Sequence, residues 1–361
     1  MGIQKQDGRI VERGVNFIDK HMFICLLHNH GIVYKVVSGS QINIGNGLES
    51  FARNVFAGVH IQYINNTISI YIESRCVTYM FSIVLVCLGV FQEYIMTNIA
   101  QLVKLGHTKI YVLTNAELIP HFEPFSNLVT LVPVETLNDS FDFRRHSTQD
   151  KDYRGGFWHH TSARFFVLYE FMAKTGTQNV IHIENDVLLY YNCDDVLTAS
   201  LKNVTGICVP FDCYERSISS ILYISDARSF AKILVNYDYG KNDMYNFSEI
   251  QKKTYLVGHF PIYMDEQGGG VRGFVSTGWS RFGGYIFDAA AIGQYIGGVD
   301  PRNRPGDSRG FVNETCVIKY AEEGAIVWKN VDDMCRPFLR IDADIPIFNL
   351  HIHSKELALY T

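Results

Sequence analysis

The sequence predicts an α/β fold: a largely parallel sheet flanked by helices, preceded by a small β-rich extension. Three observations lead there. Continuous apolar runs such as "SIVLVCLG" end in glycine or polar residues, as strands covered on both faces do. Segments with apolar residues at helical spacing lie between them. From about residue 77 the two kinds of segment alternate, which is the pattern of parallel strands joined by helices.

Residues 1–76 contain short β-prone pieces, "GIVYKVVSGS" and "HIQYINNTISIYIE", separated by Gly, Asn and Ser and without a chemically active cluster. They are expected to form a β-rich extension, with the main domain over 77–361. There "SIVLVCLG" is the first strand, and Ile95, Ile99 and Leu102, spaced by four and three, predict a helix stopped at Gly106. "KIYVLTN" (109–115) and "LVTLVPV" (128–134) supply the next two strands. A helix from about Thr161 to Lys174, closed by Gly176, leads into "NVIHIENDVLLYY" (179–191), a buried strand with two acids at its end. "VTGICVPF" (204–211), "SILYISD" (220–226) and the helix "ARSFAKILVNY" follow. The Gly-rich stretch 256–310 is long for a loop, and loops of that length commonly carry function.

A chain of 361 residues can bury a sizeable core, and 47 % hydrophobic with 19 % charged residues is a globular composition. A net charge of -5 gives no basic footprint for nucleic acid. Eight cysteines without a C-x-x-C pair exclude the usual zinc modules and redox dithiols, and are expected as reduced thiols. The N-terminus is too polar for a secretory signal, and the longest apolar run, "YMFSIVLVCLGVF" (79–91), is too short to span a bilayer. The expected compartment is therefore the cytoplasm, with no transmembrane segment.

Glu184 and Asp186 stand one residue apart where the strand must run into a turn, so both can be aimed at one point if Asn185 bends the backbone. Hard cations such as Mg2+ and Mn2+ take one or two carboxylates together with substrate phosphates. Alone, the two acids could equally decorate a turn, with Asp186 as a cap. The C-terminal segment "IFNLHIHSKEL" (347–357) adds to them: strand alternation puts Asn349, His351 and His353 on one face, followed by Lys355. A histidine can complete a cation site and a lysine can meet an anion; imidazole suits Mn2+ better than Mg2+.

In this order the segments resemble the GT-A class of Rossmann-like, nucleotide-sugar-dependent glycosyltransferases, which carry a short acidic "DxD" motif after a buried strand. More closely they resemble the glycogenin-type and bacterial galactosyl-transferring enzymes, and bacterial and viral sugar transferases with segments like "FDAAAIGQYIGGVDPRN" and "NLHIHSK". The resemblance covers about residues 77–361. It implies a metal-dependent, hexosyltransferase-like enzyme that uses Mn2+ or Mg2+. Such an enzyme moves a sugar from a nucleoside-diphosphate sugar, foremost a UDP-sugar, to a glycan, glycolipid or protein-linked acceptor.

By the same resemblance Asp186 is the principal metal ligand, and Glu184 touches the ribose or reaches the ion through water, with Asn185 between them on the donor. His351 or His353 completes the metal site and Lys355 holds the diphosphate. Arg164, in "HHTSARFFVLYEF", falls near the donor sugar, while Leu88, Gly89, Thr114 and Asn115 fall at the base- and ribose-contacting ends of the first two strands. Two departures stand out: the first acid is Glu184 rather than Asp, and "HIHSK" lacks the wider His-to-Lys spacing of the glycogenin-type pattern.

An inverting transferase also needs a carboxylate to take the proton of the acceptor hydroxyl. The candidates are Asp243 in "GKNDMYNF", Asp288 in "YIFDAAAIGQY" and Glu314 in "FVNETC", with Asp265 as a further acid; Asp243 and Asp288 could each serve only as helix caps. Trp158, Trp279, Tyr285 and Tyr295 lie in loop-rich parts, where aromatic faces can stack on sugar rings. Two other functions fit the same fold. A sugar-phosphate nucleotidyltransferase should carry a Gly-rich basic loop straight after the first strand, which "LGVFQEYIM" is not. A non-catalytic sugar- or nucleotide-binding protein would keep the acids without turnover.

Overall fold

A computed structural model describes residues 80–296 and 316–361, together with the backbone of five short strands before them. The chain divides into two compact units, Met1–Thr78 and Tyr79–Thr361. In the first, Gln4–Gln6 pairs with Arg9–Val11, and Thr67–Ile72 pairs antiparallel with both Lys35–Val36 and Val59–Ile64.

In the second unit the expected α/β class is the one observed. The strands are β1 (Ser82–Cys87), β2 (Ile110–Thr114), β3 (Thr130–Pro133), β4 (Val180–Ile183), β6 (Ile207–Cys213), β7 (Arg216–Ser217), β8 (Ile221–Ile224) and β9 (Val257–Phe260). They form one sheet in the order β7-β6-β8-β4-β1-β2-β3, with β9 added parallel to β6. Strands β3, β2, β1 and β4 run parallel, and β8 runs against its neighbours β4 and β6.

Residue alternation explains why β1 reads as a continuous apolar run. Ile83, Leu85 and Cys87 enter the core on one side of the sheet, while Val84 and Val86 enter the core on the other. Helix α1 (Ile95–Lys104) packs Ile95, Ile99 and Leu102 into the first core and ends, as expected, before Gly106 at φ +85°. Helix α2 (Phe157–Thr175) packs Phe165, Leu168, Phe171 and Met172 into the second, joined there by Phe230 and Ile233 of α4 (Ala227–Leu234).

Helix α2 begins four residues before the predicted Thr161, because Gly155 and Gly156, at φ +66° and +80°, turn the chain where no Ser, Thr or Asp caps it. Its C-terminal Gly176, at φ +70°, is the predicted stop.

Past β4 the acidic segment leaves the main sheet. A tight turn, closed by Val187 N–H donating to the Glu184 carbonyl at 3.0 Å, sends the chain into β5 (Val187–Leu189), which is followed by α3 (Cys193–Leu201). Three strands near the C-terminus, β10 (Ala325–Val331), β11 (Met334–Arg340) and β12 (Asp344–Pro346), form an antiparallel sheet of their own. The last strand, β13 (Asn349–His351), pairs antiparallel with β5, setting Val187 opposite His351.

Asp288 is the pin behind that pairing. It is fully buried, and its carboxylate accepts N–H bonds from Ala291, Ile292 and Gly293 at 2.8–2.9 Å and from His351 at 2.9 Å. Gly293 permits the close approach, since a Cβ there would meet the His351 carbonyl oxygen at 2.2 Å. The expectation that Asp288 acts on an acceptor is therefore corrected: its lone pairs are occupied by backbone, and it holds the His351 strand in place. Among the described residues no helix is long and apolar enough to cross a membrane. The six described cysteines are free thiols.

Replacing Asp288 with Ala leaves four buried N–H groups without an acceptor and is expected to cost roughly 3 kcal/mol or more of stability. Chemical denaturation of the two proteins measures it; an unchanged midpoint would contradict the assigned role.

Candidate active site

A cleft of about 440 Å³ opens where β1 and β4 end, lined by Leu88 and Asn185 among others. Ligands in open α/β sheets bind outside these carboxyl ends. Strand β4 delivers Glu184, the turn delivers Asp186, α2 delivers Arg164, and the β13 segment delivers His351, His353 and Lys355. Asp243 lines the same cleft as the first residue of α5 (Asp243–Gln251). Its capping alternative falls away: Asn242 is the N-cap, accepting from Tyr245 N–H, and Asp243 is left to face Arg164.

The turn geometry follows from Asn185. Its side-chain amide donates to the Val86 carbonyl at 3.0 Å and to Gln92 Oε1 at 2.6 Å, tying the bend to β1 and turning its two acidic neighbours outward. Asn98 of α1 adds an amide bond to the Asn185 carbonyl at 3.2 Å.

The charged side chains form one connected chain. Arg164 bridges Glu184, through Nη1, and Asp243, through Nη2 at 2.8 Å. Glu184 Oε2 lies 3.1 Å from His351 Nε2, and that nitrogen lies 3.2 Å from Asp186 Oδ2. The Lys355 ammonium contacts the same Asp186 oxygen, from a backbone at φ +65° that a lysine rarely adopts. Burial would raise the Asp186 carboxyl, but Lys355 and His351 outweigh it and hold it well below the usual range. Burial lowers His351, and the Asp186 and Glu184 carboxylates reverse that and raise it. Burial pushes Asp243 up, with Arg164 opposing the rise and Glu184 adding to it.

Glu184, Asp186 and His351 each offer a ligand atom, and these atoms lie within 4.8 Å of one another. Ligands about 2.1 Å from an octahedral ion sit roughly 3 Å apart when adjacent, so the 3.1 and 3.2 Å separations fit a shared divalent ion. Two carboxylate oxygens and one imidazole nitrogen form a donor set that a divalent metal ion could share. Of the two candidate histidines, His351 belongs to this group. His353 lies beyond the strand and stands edge-on to His351, ring centroids 4.5 Å apart.

Other expected residues divide. Gly89 and Asn115 line an adjoining hollow of about 260 Å³, where Gly89 N–H donates to Asn115 Oδ1 at 2.8 Å; Leu88 borders both spaces. Thr114 lines neither and is buried, its hydroxyl donating to the Cys87 carbonyl at 2.8 Å, which corrects its expected contact with a donor. Glu314 lies outside the described residues. Trp158 lines the cleft, whereas Tyr285 packs on Tyr191 with centroids 4.7 Å apart. Sequence reasoning missed His182, Arg154, His160 and Arg216, which also line the cleft. "YRGGFW" carried the signal for Arg154, paired glycines ahead of an aromatic helix start, but nothing in the local pattern separates His182 from an ordinary strand residue.

No protein-family model matches the chain, and no curated protein sequence matches it. Solved structures do. A protein assigned as a glucose-1-phosphate thymidylyltransferase from Bacillus anthracis is similar at 9 % identity and a TM-score of 0.33, over 50 % of this chain and 85 % of that one. Mouse xyloside xylosyltransferase 1 is similar at 7 % identity and a TM-score of 0.36, over 50 % and 85 %. The glycosyltransferase GlyE of Streptococcus pneumoniae is similar at 14 % identity and 0.35, over 52 % of this chain and 48 % of its own length. Some of these neighbours are named glycosyltransferases.

A depressed carboxyl contributes stability above its unfolded pKa and loses it as pH falls. Asp186 therefore supports the fold at neutral pH and loses that support progressively, from the usual carboxylate range down through its own depressed one. Asp186→Asn is expected to flatten the fall in Tm between about pH 5 and pH 3, measured by thermal melts at each pH. An identical acid limb in both proteins would contradict the depressed value.

Proposed function

We propose that the chain is a metal-dependent glycosyltransferase acting on a nucleoside-diphosphate sugar, foremost a UDP-sugar, and a glycan, glycolipid or protein-linked acceptor. One observation carries the reading: Glu184, Asp186, His351 and Lys355 meet on one side of the cleft, and Arg164 joins them to Asp243 on the other.

The chemical demand in glycosyl transfer is the negative charge that builds on the departing diphosphate. A divalent ion on Asp186, Glu184 and His351, manganese being favoured by the imidazole, would supply positive charge there. Lys355, four residues after His351, supplies a second cation within the same few ångströms. Arg164, held in place by two carboxylates in the cleft wall, would be the fixed cation at the sugar end of the cleft. Asp243, with its carboxyl raised by burial, is the side chain suited to accept the proton of the acceptor hydroxyl.

Nucleotidyl transfer is disfavoured because the loop after β1, Leu88 to Tyr94, contains neither lysine nor arginine. The free thiols support action in the reducing cytoplasm.

Release of nucleoside diphosphate from a panel of nucleotide sugars, with Mn2+ or with chelator, tests the reading. Metal-dependent release from one donor, abolished by Asp186→Ala, is expected. No release with any donor or acceptor tried, although donors bind, would favour the binding-protein alternative. Asp243→Asn is expected to lower turnover about 100-fold or more while donor affinity stays within a few-fold; undiminished turnover would remove Asp243 from the chemistry.

A further inference from the structure

Strand β4 brings one more polar side chain to the cleft. His182 stands two residues before Glu184, is 1 % exposed, and lines the cleft with Arg164, Glu184 and Asp243. Its Nδ1 lies 2.9 Å from the carbonyl oxygen of Val84, the residue beside it in the sheet. A carbonyl only accepts, so Nδ1 carries the proton. With no acceptor beside the buried Nε2, a second proton there would leave an unpaired buried charge, so the ring is neutral. Nε2 is then an acceptor only. It is buried and has no hydrogen-bond partner.

An acceptor in this state is costly to bury, and in a binding cleft it marks where a ligand supplies the missing donor. The missing group is an O–H or N–H. An ionised diphosphate has neither and would set its own lone pairs against Nε2. On the nucleotide-sugar reading the diphosphate meets Lys355 and the cation that Asp186 and His351 would hold, whereas His182 neighbours Arg164 at the other end of the charged chain.

We infer that His182 reads a hydroxyl group of the transferred sugar, accepting its hydrogen bond at Nε2, and so determines which sugar nucleotide the cleft selects. This rests on the nucleotide-sugar reading above. One rival partner lies within the protein: Arg164 Nε also has no acceptor, and a bond to it would make His182 a positioning residue for Arg164 instead.

Titration calorimetry separates these outcomes. The titrants are UDP, the UDP-sugar selected by the donor panel, and analogues of that sugar deoxygenated singly at each hydroxyl; the proteins are the wild type, His182→Phe and His182→Gln. We expect His182→Phe to bind UDP as the wild type does, which also shows that it folds. It should bind the sugar nucleotide about tenfold or more weakly. One deoxy analogue should be weak on the wild type and no weaker on the variant. His182→Gln, which retains an acceptor oxygen, should recover part of the loss. An equal further loss with every analogue, or a loss with UDP itself, would overturn the inference and leave His182 as a support for Arg164 or the sheet. If His182→Phe does not fold, the wild-type series decides alone, and a wild type indifferent to each deoxygenation would overturn it. Failure of the wild type to bind UDP or any UDP-sugar would overturn the underlying reading first, before any variant is compared.

Discussion

The antiparallel pairing of Val187–Leu189 with Asn349–His351 is the constraint on which the site depends. It joins Asp186 and His351, 165 residues apart in the chain, and the Ile352 N–H donates to the Asp186 carbonyl at 2.9 Å just beyond the paired residues. Asp288 holds the His351 backbone from behind, so the C-terminal segment cannot slide without exposing a buried carboxylate. A shift of one residue would also turn the His351 side chain to the opposite face.

Concentrating three carboxylates in a buried cleft is unfavourable unless each is compensated. Arg164 lies between Glu184 and Asp243, and Lys355 lies on Asp186, so the carboxylates are paired within the protein itself. The arrangement gives each end of the cleft its own character. One end gathers groups able to meet a cation and a diphosphate; the other has a fixed arginine, an acid raised by burial and an imidazole acceptor. The fold by itself does not distinguish a transferase from a binding protein, and the functional reading comes from this division of the cleft.

Much of this was legible in the sequence. The strands of the parallel sheet could be read because two-sided burial leaves a continuous apolar signature, and the acids stood out against it. The meeting of "HIEND" with "NLHIHSK" was legible as a pair of complementary motifs, although the strand pairing that joins them involves three residues on each side. What could not be read depended on contacts distant in the chain. Asp288 and Asp243 look alike as helix-starting acids, and only the packing of β13 and α2 makes the first a backbone anchor and the second a lining residue. Thr114 ended a strand as expected, but its hydroxyl turned back to Cys87. His182 was hidden because its significance lies in which ring nitrogen the Val84 carbonyl engages.

The central claim is that the two acids and His351 place a cation where a diphosphate departs. Anomalous diffraction at the manganese edge, from crystals grown with Mn2+ and UDP, tests it most directly. The account predicts one anomalous peak within bonding distance of Asp186 and His351, with the Lys355 ammonium moved from Asp186 onto the diphosphate. UDP bound in the cleft without such a peak, and with Lys355 still on Asp186, would contradict it.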